Sequence, residues 1–224
     1  MIVNTSAARP VKVDIWSDIA CPWCFVGKRR FERAVASWAG DVEVEFHSFE
    51  LAPDTPVDFE GSEVDFLAHH KGMDPAQVEQ MLGQMTELAA AEGLAYDFEA
   101  LRHTKTLLAH QALHFAKDHG LQAELKERLL SAYFEQGRHV GRVDELVELG
   151  AEVGLDAGAL RAALESAQYA DAVEADIAQA RAYGITGVPF FVFDGRLGVS
   201  GAQDSKVFEQ VLQRAADEAE EASA

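Results

Sequence analysis

The stretch DIACPWC occupies residues 18–24, and the hydrophobic period of the chain changes across it. Before it, the segment Val11–Trp16 places Val, Val and Ile at alternate positions, which is typical of a strand. After it, apolar residues recur at helical spacing from Phe25 to Trp38, and Gly40 marks the end of the predicted helix. Two cysteines therefore stand where a strand gives way to the first helix.

A second strand and a long helical block follow. Residues 42–49 alternate apolar and polar side chains and predict the strand. From about Gly61 to Tyr183 the sequence has helical periodicity nearly throughout, with helix starts at Asp74-Pro75 and Asp156. No repeat of fixed period runs through this block, which argues against a helical solenoid.

The helical pattern breaks after Gly184. Residues 187–189 (GVP) predict a turn, and residues 190–193 (FFVF) form an apolar run with the length of a buried strand. Asp194-Gly195 then predicts a hairpin, with residues 196–199 as its second strand.

The chain ends with a predicted amphipathic helix. Ser200 and Gln203 suit a capping box at its start, and Val207 and Leu212 belong to its apolar face. The element order is thus βαβ, a helical block, then ββα. Since right-handed crossover rules allow the two ends to join in one sheet, we predict an α/β fold interrupted by a large all-helical insertion. The predicted domains are a discontinuous unit, residues 11–60 with 184–217, and an inserted helical unit, residues 61–183.

Charge and hydropathy limit the class of partner. The 224 residues include 19 Lys and Arg against 38 Asp and Glu, a formal net charge of −19. Such a field repels phosphate backbones and anionic lipid, so nucleic acid and membrane surfaces are not predicted partners. No apolar run reaches the roughly 18 residues of a membrane span. The first residues lack the basic segment and long apolar stretch of a secretory signal, and we therefore expect a cytoplasmic protein.

Cys21 and Cys24 are the only cysteines in the sequence. They are too close to staple a fold of this length, which excludes a disulfide scaffold and favours an active pair. At a helix start, free backbone N–H groups and the helix dipole favour thiolate over thiol and can lower a cysteine pKa to about 3.5–7.5. We therefore expect Cys21 to titrate well below a free thiol.

The spacing of the two cysteines also predicts their roles. Cys21, expected to be the more exposed sulfur, would be the nucleophile, and Cys24, one turn deeper in the helix, would resolve the mixed disulfide. Pro22 fits the first helical turn because its missing N–H has no helical partner there. Trp23 presents a flat surface beside the sulfur, so Pro22 and Trp23 are predicted to contact substrate.

A zinc site is the competing interpretation of the cysteine pair. It would need two further ligands, and the sequence has no other cysteine. His110 and His114 are four residues apart on one helix face, but they lack the glutamate of a His-Glu-x-x-His motif. No metal site is predicted, and the two histidines are interpreted as structural or surface residues.

The motif at residues 18–24, the late GVPF at residues 187–190 and the stretch Thr104–His110 together resemble the DsbA family of the thioredoxin superfamily, and within it the FrnE-like branch. The resemblance implies a thioredoxin fold carrying the helical insertion, and a redox-active Cys21–Cys24 disulfide in place of a bound cofactor. It also implies a cis bond between Val188 and Pro189. In the family this loop lies against the cysteines, so Val188 and Pro189 are expected to bind substrate, which pairs there as an added strand.

The resemblance further implies a thiol–disulfide oxidoreductase. Because a reducing cytosol keeps most such pairs as dithiols, we expect a reductase or isomerase rather than an oxidase. Expected partners are protein or small-molecule thiols and disulfides, with glutathione as a possible co-substrate or a thioredoxin system as redox partner. The residues do not decide between protein and small-molecule substrates.

Two other functions stay open. The 2-hydroxychromene-2-carboxylate isomerases and kappa-class glutathione transferases share this fold and bind glutathione between its two parts. They typically have serine at the position of Cys21 and lack the cysteine pair, and glutathione dependence would discriminate them. A redox-regulated chaperone would instead use an apolar cleft, for which the phenylalanines of residues 190–193 are candidates, although they fit a core strand better.

Overall fold

The computed structural model describes residues 9–222, and a four-stranded sheet lies at the centre of the fold. Its strands are β1 (Val11–Ser17), β2 (Val42–Ser48), β3 (Phe190–Phe193) and β4 (Leu197–Ser200), in the spatial order β2-β1-β3-β4. β1 pairs parallel to β2 and antiparallel to β3, and β3 pairs antiparallel to β4. The two ends of the chain therefore share one sheet, and the predicted α/β thioredoxin fold with a helical insertion is confirmed.

The helices of the described residues flank this sheet and fill the interval between β2 and β3. They are α1 (Pro22–Ser37), α2 (Glu63–Lys71), α3 (Pro75–Ala91), α4 (Leu107–Asp118), α5 (Gln122–Gln136), α6 (Val143–Glu152), α7 (Ala157–Glu165), α8 (Ala170–Ala182) and α9 (Ser205–Glu221). Among the described helices, none has the length and apolar composition needed to cross a membrane. The predicted domain bounds remain a prediction.

The predicted helix starts are correct, and a long interval inside the helical block is not helical. The carboxylates of Asp74 and Asp156 cap α3 and α7 by accepting backbone N–H groups. Residues 92–106, by contrast, contain no helix. Within this interval Gly93 has a left-handed φ of 81°, and the Asp97 carboxylate accepts the N–H groups of two following residues in a turn. Such local hydrogen bonds compete with helix formation.

Helix α1 belongs to two hydrophobic cores at once. Phe31 packs with the strands and α9, in a core that includes Phe191, Phe193 and Phe208. Phe25, the residue directly after Cys24, belongs instead to the larger core built from α3 to α7. Burying a side chain such as Phe25 contributes about 1.5–3 kcal/mol. Residues 21–24 therefore lie where the sheet and the inserted helices meet.

The hairpin at Asp194-Gly195 is as predicted, whereas the capping box after it is wrong. Asp194 and Gly195 have φ values of 50° and 68°, the left-handed pair that a two-residue turn requires. Ser200 pairs with Phe190 at the end of β4, and the Gln203 side chain donates to the Ser200 carbonyl oxygen. Because Ser200 belongs to β4, α9 starts later in the sequence, and the Asp204 carboxylate caps it.

Candidate active site

Cys21 is the N-cap residue of α1, with extended backbone angles, and Pro22 occupies the first helical position. The N–H of Cys24 donates to the carbonyl oxygen of Cys21 at 3.0 Å, which closes the first turn. Both cysteines are free thiols, and each is only 3% exposed. The two residues are thus equally buried, and the predicted greater exposure of the Cys21 sulfur remains a prediction.

The loop before β3 brings a second part of the chain to the cysteines. The Val188–Pro189 bond is cis, as the family resemblance implies. The Sγ of Cys21 donates to the Val188 carbonyl oxygen at 3.5 Å. Pro189 packs against α1 at Gly27, where an added Cβ would lie 2.9 Å from Pro189 Cγ. The glycine thus permits the close approach of helix and proline loop.

A cavity of about 460 Å³ opens beside Cys21. Its active-site wall consists of Cys21, Pro22, Trp23 and Val188, and Cys24 does not line it. Trp23, 44% exposed, lies in this wall. The opposite wall is mainly apolar and comes from α2 and α3, with Phe66, Leu67, Met81, Leu82, Met85 and Leu88. The volume lies within the range of small-molecule sites, about 300–1,000 Å³.

Side chains from the inserted helical region fix the loop that carries the cysteines. The Asp18 carboxylate accepts the backbone N–H of Leu51 and the hydroxyl of Thr106, both at 2.8 Å, and contacts His110 Nε2 at 3.2 Å. Burial alone would raise the pKa of Asp18, but these partners hold it below its usual value. The Tyr96 hydroxyl donates to the Pro22 carbonyl oxygen at 2.7 Å.

The two sulfurs contact each other, and their proton affinities differ. The hydrogen bond with Cys24, together with burial, raises the pKa of Cys21. Burial would also raise the pKa of Cys24, but hydrogen bonds from Cys21 and Ser17 and the positive charge of Lys126 outweigh it and lower that pKa. The expectation that Cys21 titrates below a free thiol is therefore wrong.

The histidines considered as metal ligands contact different carboxylates. His110 contacts Asp18, while His114 Nε2 lies 3.0 Å from Asp176 Oδ2 and 3.2 Å from Ser48 Oγ. Each therefore has a structural role in holding the inserted helices to the β1 and β2 ends of the sheet.

His47 lies at the centre of a charged network on β2. Its Nε2 contacts Asp14 Oδ1 at 2.9 Å and its Nδ1 contacts Asp176 Oδ1 at 2.8 Å. Burial alone would lower the pKa of His47, yet the two carboxylates raise it to about 9. Asp14, Glu45 and His47 have the spacing of a metal site, but Lys12 and Lys117 already pair with the two carboxylates.

Comparison with known proteins identifies the fold family. Over residues 12–213 the sequence matches the DSBA-like thioredoxin domain family. The chain belongs to this family. It is a DsbA-like oxidoreductase, and its cavity, cysteine pair and proline loop together form the DsbA-like site. The FrnE-like branch remains a prediction within the family.

Relatives of this DsbA-like chain span almost its whole length. A probable DsbA oxidoreductase from Streptomyces coelicolor is 44% identical, covers 92% of this chain and 89% of its own, and superposes with a TM-score of 0.86. YwbO of Bacillus subtilis, an uncharacterized protein, is 32% identical over 204 residues, or 90% of this chain and 96% of its own. The cytosolic disulfide reductase DsbM from Pseudomonas aeruginosa, solved with GSH, shares the fold at 20% identity, with a TM-score of 0.61 and coverage of 93% and 97%.

In the DsbA-like site the predicted residues lie close together, but only some of them line the cavity. Cys21, Pro22, Trp23 and Val188 line the cavity together. Pro189 lies against α1, and neither Pro189 nor Cys24 lines the cavity. The roles assigned to these residues from the sequence remain predictions.

Several residues of the DsbA-like site escaped sequence analysis. Gly27 could have been recognised from the sequence, because a glycine inside a helix usually has a packing reason. Tyr96 could not, because its contact with Pro22 spans 74 residues of sequence. Lys126 lies in α5, in a helical pattern indistinguishable from that of its neighbours. Only the packing of α5 on β2 brings its charge to Cys24.

Proposed function

We propose that this DsbA-like chain exchanges disulfides through its dithiol, with Cys21 reacting first with substrate and Cys24 resolving. The observation that carries the proposal is that, of the two cysteines, Cys21 is the one that lines the cavity. A substrate disulfide entering the cavity meets the Cys21 sulfur, with the Val188 backbone beside it. Backbone groups next to a reactive sulfur hold an extended substrate segment by strand-like pairing.

The exchange proceeds in two steps. The Cys21 thiolate attacks one substrate sulfur, a mixed disulfide forms, and the other substrate sulfur leaves with the electron pair and takes a proton. Cys24 then attacks the Cys21 sulfur, the Cys21–Cys24 disulfide forms, and the second substrate thiolate leaves. The substrate is reduced by two electrons and the cysteine pair is oxidised, and no bound cofactor takes part.

The contact between the two sulfurs explains how Cys21 becomes nucleophilic although its own pKa is raised. The Cys21 thiol proton can bond either to the Val188 carbonyl oxygen or to the Cys24 sulfur. When Cys24 has lost its own proton, transfer of the Cys21 proton to it leaves the thiolate at Cys21, on the cavity side. The pair thus titrates as a unit, and its lower pKa belongs to both sulfurs.

We place the net reaction in the reducing direction, as a reductase or isomerase in the cytosol, with glutathione or a thioredoxin system restoring the dithiol. The similar fold of DsbM, a cytosolic disulfide reductase solved with GSH, supports this direction. The cavity favours substrates with apolar groups beside the disulfide, because its inserted wall is built from aliphatic and aromatic side chains.

A glutathione-dependent isomerase or transferase is the second candidate. The cavity between the dithiol and α2–α3 favours it, since its volume is sufficient for a small thiol and its substrate. Against it, both cysteines are present as free thiols, whereas enzymes of this kind typically have serine at the position of Cys21 and lack the pair. Activity strictly dependent on glutathione, and retained in Cys24→Ser, would favour this candidate.

The decisive experiment is the equilibrium reduction potential of the Cys21–Cys24 pair in glutathione buffers, with insulin disulfide reduction measured beside it. We expect a potential near about −250 mV together with insulin turnover, close to that of reducing members of this fold. A potential near about −120 mV would contradict the reducing direction and indicate an oxidant. A pair that never closes into a disulfide would contradict the whole proposal.

A further inference from the structure

Lys126 of α5 is an exception among the buried cations of the described residues. It is 1% exposed, and its Nζ has no hydrogen-bond partner in the described part of the chain. Lys28 is also buried, but its ammonium group bonds to Glu32 and to Glu127. An unpaired buried charge costs several kcal/mol. The position of Lys126 therefore indicates a partner that is charged in only one redox or protonation state.

The packing of α5 directs this lysine toward the cysteine pair. One turn before it, the Gln122 side chain accepts the backbone N–H of Phe46 at 3.0 Å and donates to the Phe46 carbonyl oxygen at 2.8 Å, which anchors α5 on β2. The Lys126 Nζ lies 5.8 Å from the centre of the Phe46 ring. The charges that act on it are those of Cys24, Asp18 and Cys21, which attract it, and of Lys28, which repels it.

Of these attracting groups, only the cysteines have a charge that depends on the redox state of the protein. The Asp18 carboxylate is occupied by Leu51, Thr106 and His110, and no hydrogen bond joins it to Lys126 in the described residues. Cys21 faces the Val188 carbonyl oxygen, and the nearby Tyr96 hydroxyl donates to Pro22. Cys24 gains a negative charge when the disulfide opens, and the Ser17 hydroxyl and the Asp18 backbone N–H donate to its sulfur and favour that charge.

We propose that Lys126 is a positioning residue that acts through Cys24: its ammonium group is the counter-ion of the Cys24 thiolate in the reduced protein. The inference rests on the proposed function and adds to it the group that sets the redox balance of the pair. It assigns to the inserted helices an electrostatic role in thiol–disulfide exchange, beyond forming a wall of the cavity.

The chemistry of the pair shows when this counter-ion matters. A substrate thiolate attacks the Cys21 sulfur of the disulfide, the Cys21–Cys24 bond breaks, and its electron pair passes to Cys24, which becomes a thiolate beside Lys126. In the reverse step the Cys24 thiolate attacks Cys21 of a mixed disulfide, and the negative charge leaves with the substrate sulfur. Lys126 is therefore paired in the reduced form and unpaired in the oxidised form, so its charge favours the dithiol. Burial lowers the pKa of Lys126 to about 8, which keeps it mainly protonated at neutral pH.

The test compares the wild-type protein with Lys126→Met and Lys126→Gln, and uses Lys28→Met as the matched control. Thiolate absorbance near about 240 nm is followed against pH in each reduced protein, and the reduction potential is measured in glutathione buffers. We expect both Lys126 variants to hold at least about tenfold less thiolate at a given pH near neutrality, a rise of about one unit in the pKa of the pair. Tenfold in the thiol–disulfide equilibrium corresponds to a potential about 30 mV lower. Lys28→Met should shift either quantity much less, because Glu32 and Glu127 already compensate that charge.

Unchanged thiolate titration and unchanged potential in folded Lys126 variants would overturn the inference, even if the wild-type protein reduces insulin. The titration needs only the reduced thiols. A wild-type pair that never forms a disulfide would therefore overturn the proposed function while leaving the inference testable. If neither variant folds, the side-chain NMR signal of Lys126 in the wild-type protein decides. Its pKa should be higher in the reduced than in the oxidised form, and equal values would contradict the proposal.

Discussion

The inserted helices meet the sheet at two junctions that differ in how their charges are partnered. At the paired junction, His47 of β2 lies between Asp14 and Asp176, and Asp176 also contacts His114. At the dithiol junction, formed by Cys21, Cys24 and Lys126, a buried ammonium group has no hydrogen-bond partner among the described residues, and a cavity opens beside Cys21.

The two junctions therefore have different roles: the paired junction stabilises the fold, and the dithiol junction takes part in the redox chemistry. A buried charge whose partners are permanent holds two parts of the chain together at every stage of a reaction. A buried charge without a permanent partner is useful only where a partner appears transiently, as the Cys24 thiolate does. Substitutions at the paired junction should therefore change stability and leave the redox properties alone, and substitutions at the dithiol junction should do the reverse.

The largest expected effect comes from the two cysteines themselves. Cys21→Ser should reduce insulin reduction to the background rate, because the sulfur that lines the cavity is lost. Cys24→Ser should instead accumulate a mixed disulfide between Cys21 and substrate, since no thiol remains to resolve it. Mass spectrometry after non-reducing quench distinguishes the two. Equal trapping by both variants would contradict the assigned order of attack.

The paired junction should make a pH-dependent contribution to stability. The folded-state pKa of His47 is raised from 6.5 to about 9, so its stabilisation is complete below about pH 6.5 and is lost as the pH rises through 9. By linkage this amounts to about 3 kcal/mol between those limits. Denaturant unfolding at several pH values should show this loss in the wild type and a flatter profile in His47→Gln.

The same variant provides the control for the two junctions. His47→Gln should keep the wild-type reduction potential, measured in glutathione buffers, because no charge near Cys24 changes. If the stability of the variant follows the wild-type pH profile, His47 is not the titrating group. A shift in potential comparable with that expected for Lys126 would show that the junctions are not separate.

A smaller effect is expected where α1 meets the proline loop. Gly27→Ala should displace Pro189, because the new Cβ would lie 2.9 Å from its Cγ, and overpacking of this kind costs about 1–3 kcal/mol. Gly83→Ala in α3 is the matched control, since no atom lies within 4 Å of its Cβ position. It should gain up to about 1 kcal/mol from helix propensity. Thermal unfolding and insulin reduction measure both, and a neutral Gly27→Ala would refute the close approach.

Features that depend on residues close together in the sequence could be predicted, and features that depend on distant residues could not. The hairpin at Asp194-Gly195, the caps at Asp74 and Asp156, and the start of α1 after Cys21 depend on neighbouring residues, and the structure agrees with them. The capping box at Ser200 was wrong because pairing with Phe190 takes precedence over local capping.

The titration of the cysteine pair depends on contacts that sequence does not display. A helix start predicts a stabilised Cys21 thiolate, and this reasoning stops at the local backbone. The hydrogen bond between the two sulfurs and burial raise the pKa of Cys21, and the charge of Lys126, far away in the sequence, helps to lower the pKa of Cys24. Tyr96 and Gly27 are further examples of residues whose function depends on what tertiary packing places opposite them.

The position of β3 at the centre of the sheet also has a consequence for the order of events during synthesis. β1 requires β3 as its antiparallel neighbour, and Val13 pairs with Phe193 near the end of the chain. At about 5–20 residues per second, the segment from Cys24 to Phe193 takes about 10–30 s to translate. During that interval neither the Val188 carbonyl oxygen nor the completed cavity shields Cys21. The nascent polypeptide therefore emerges from the ribosome with an unprotected thiol pair, whose redox state is set by the surrounding medium until translation is nearly finished.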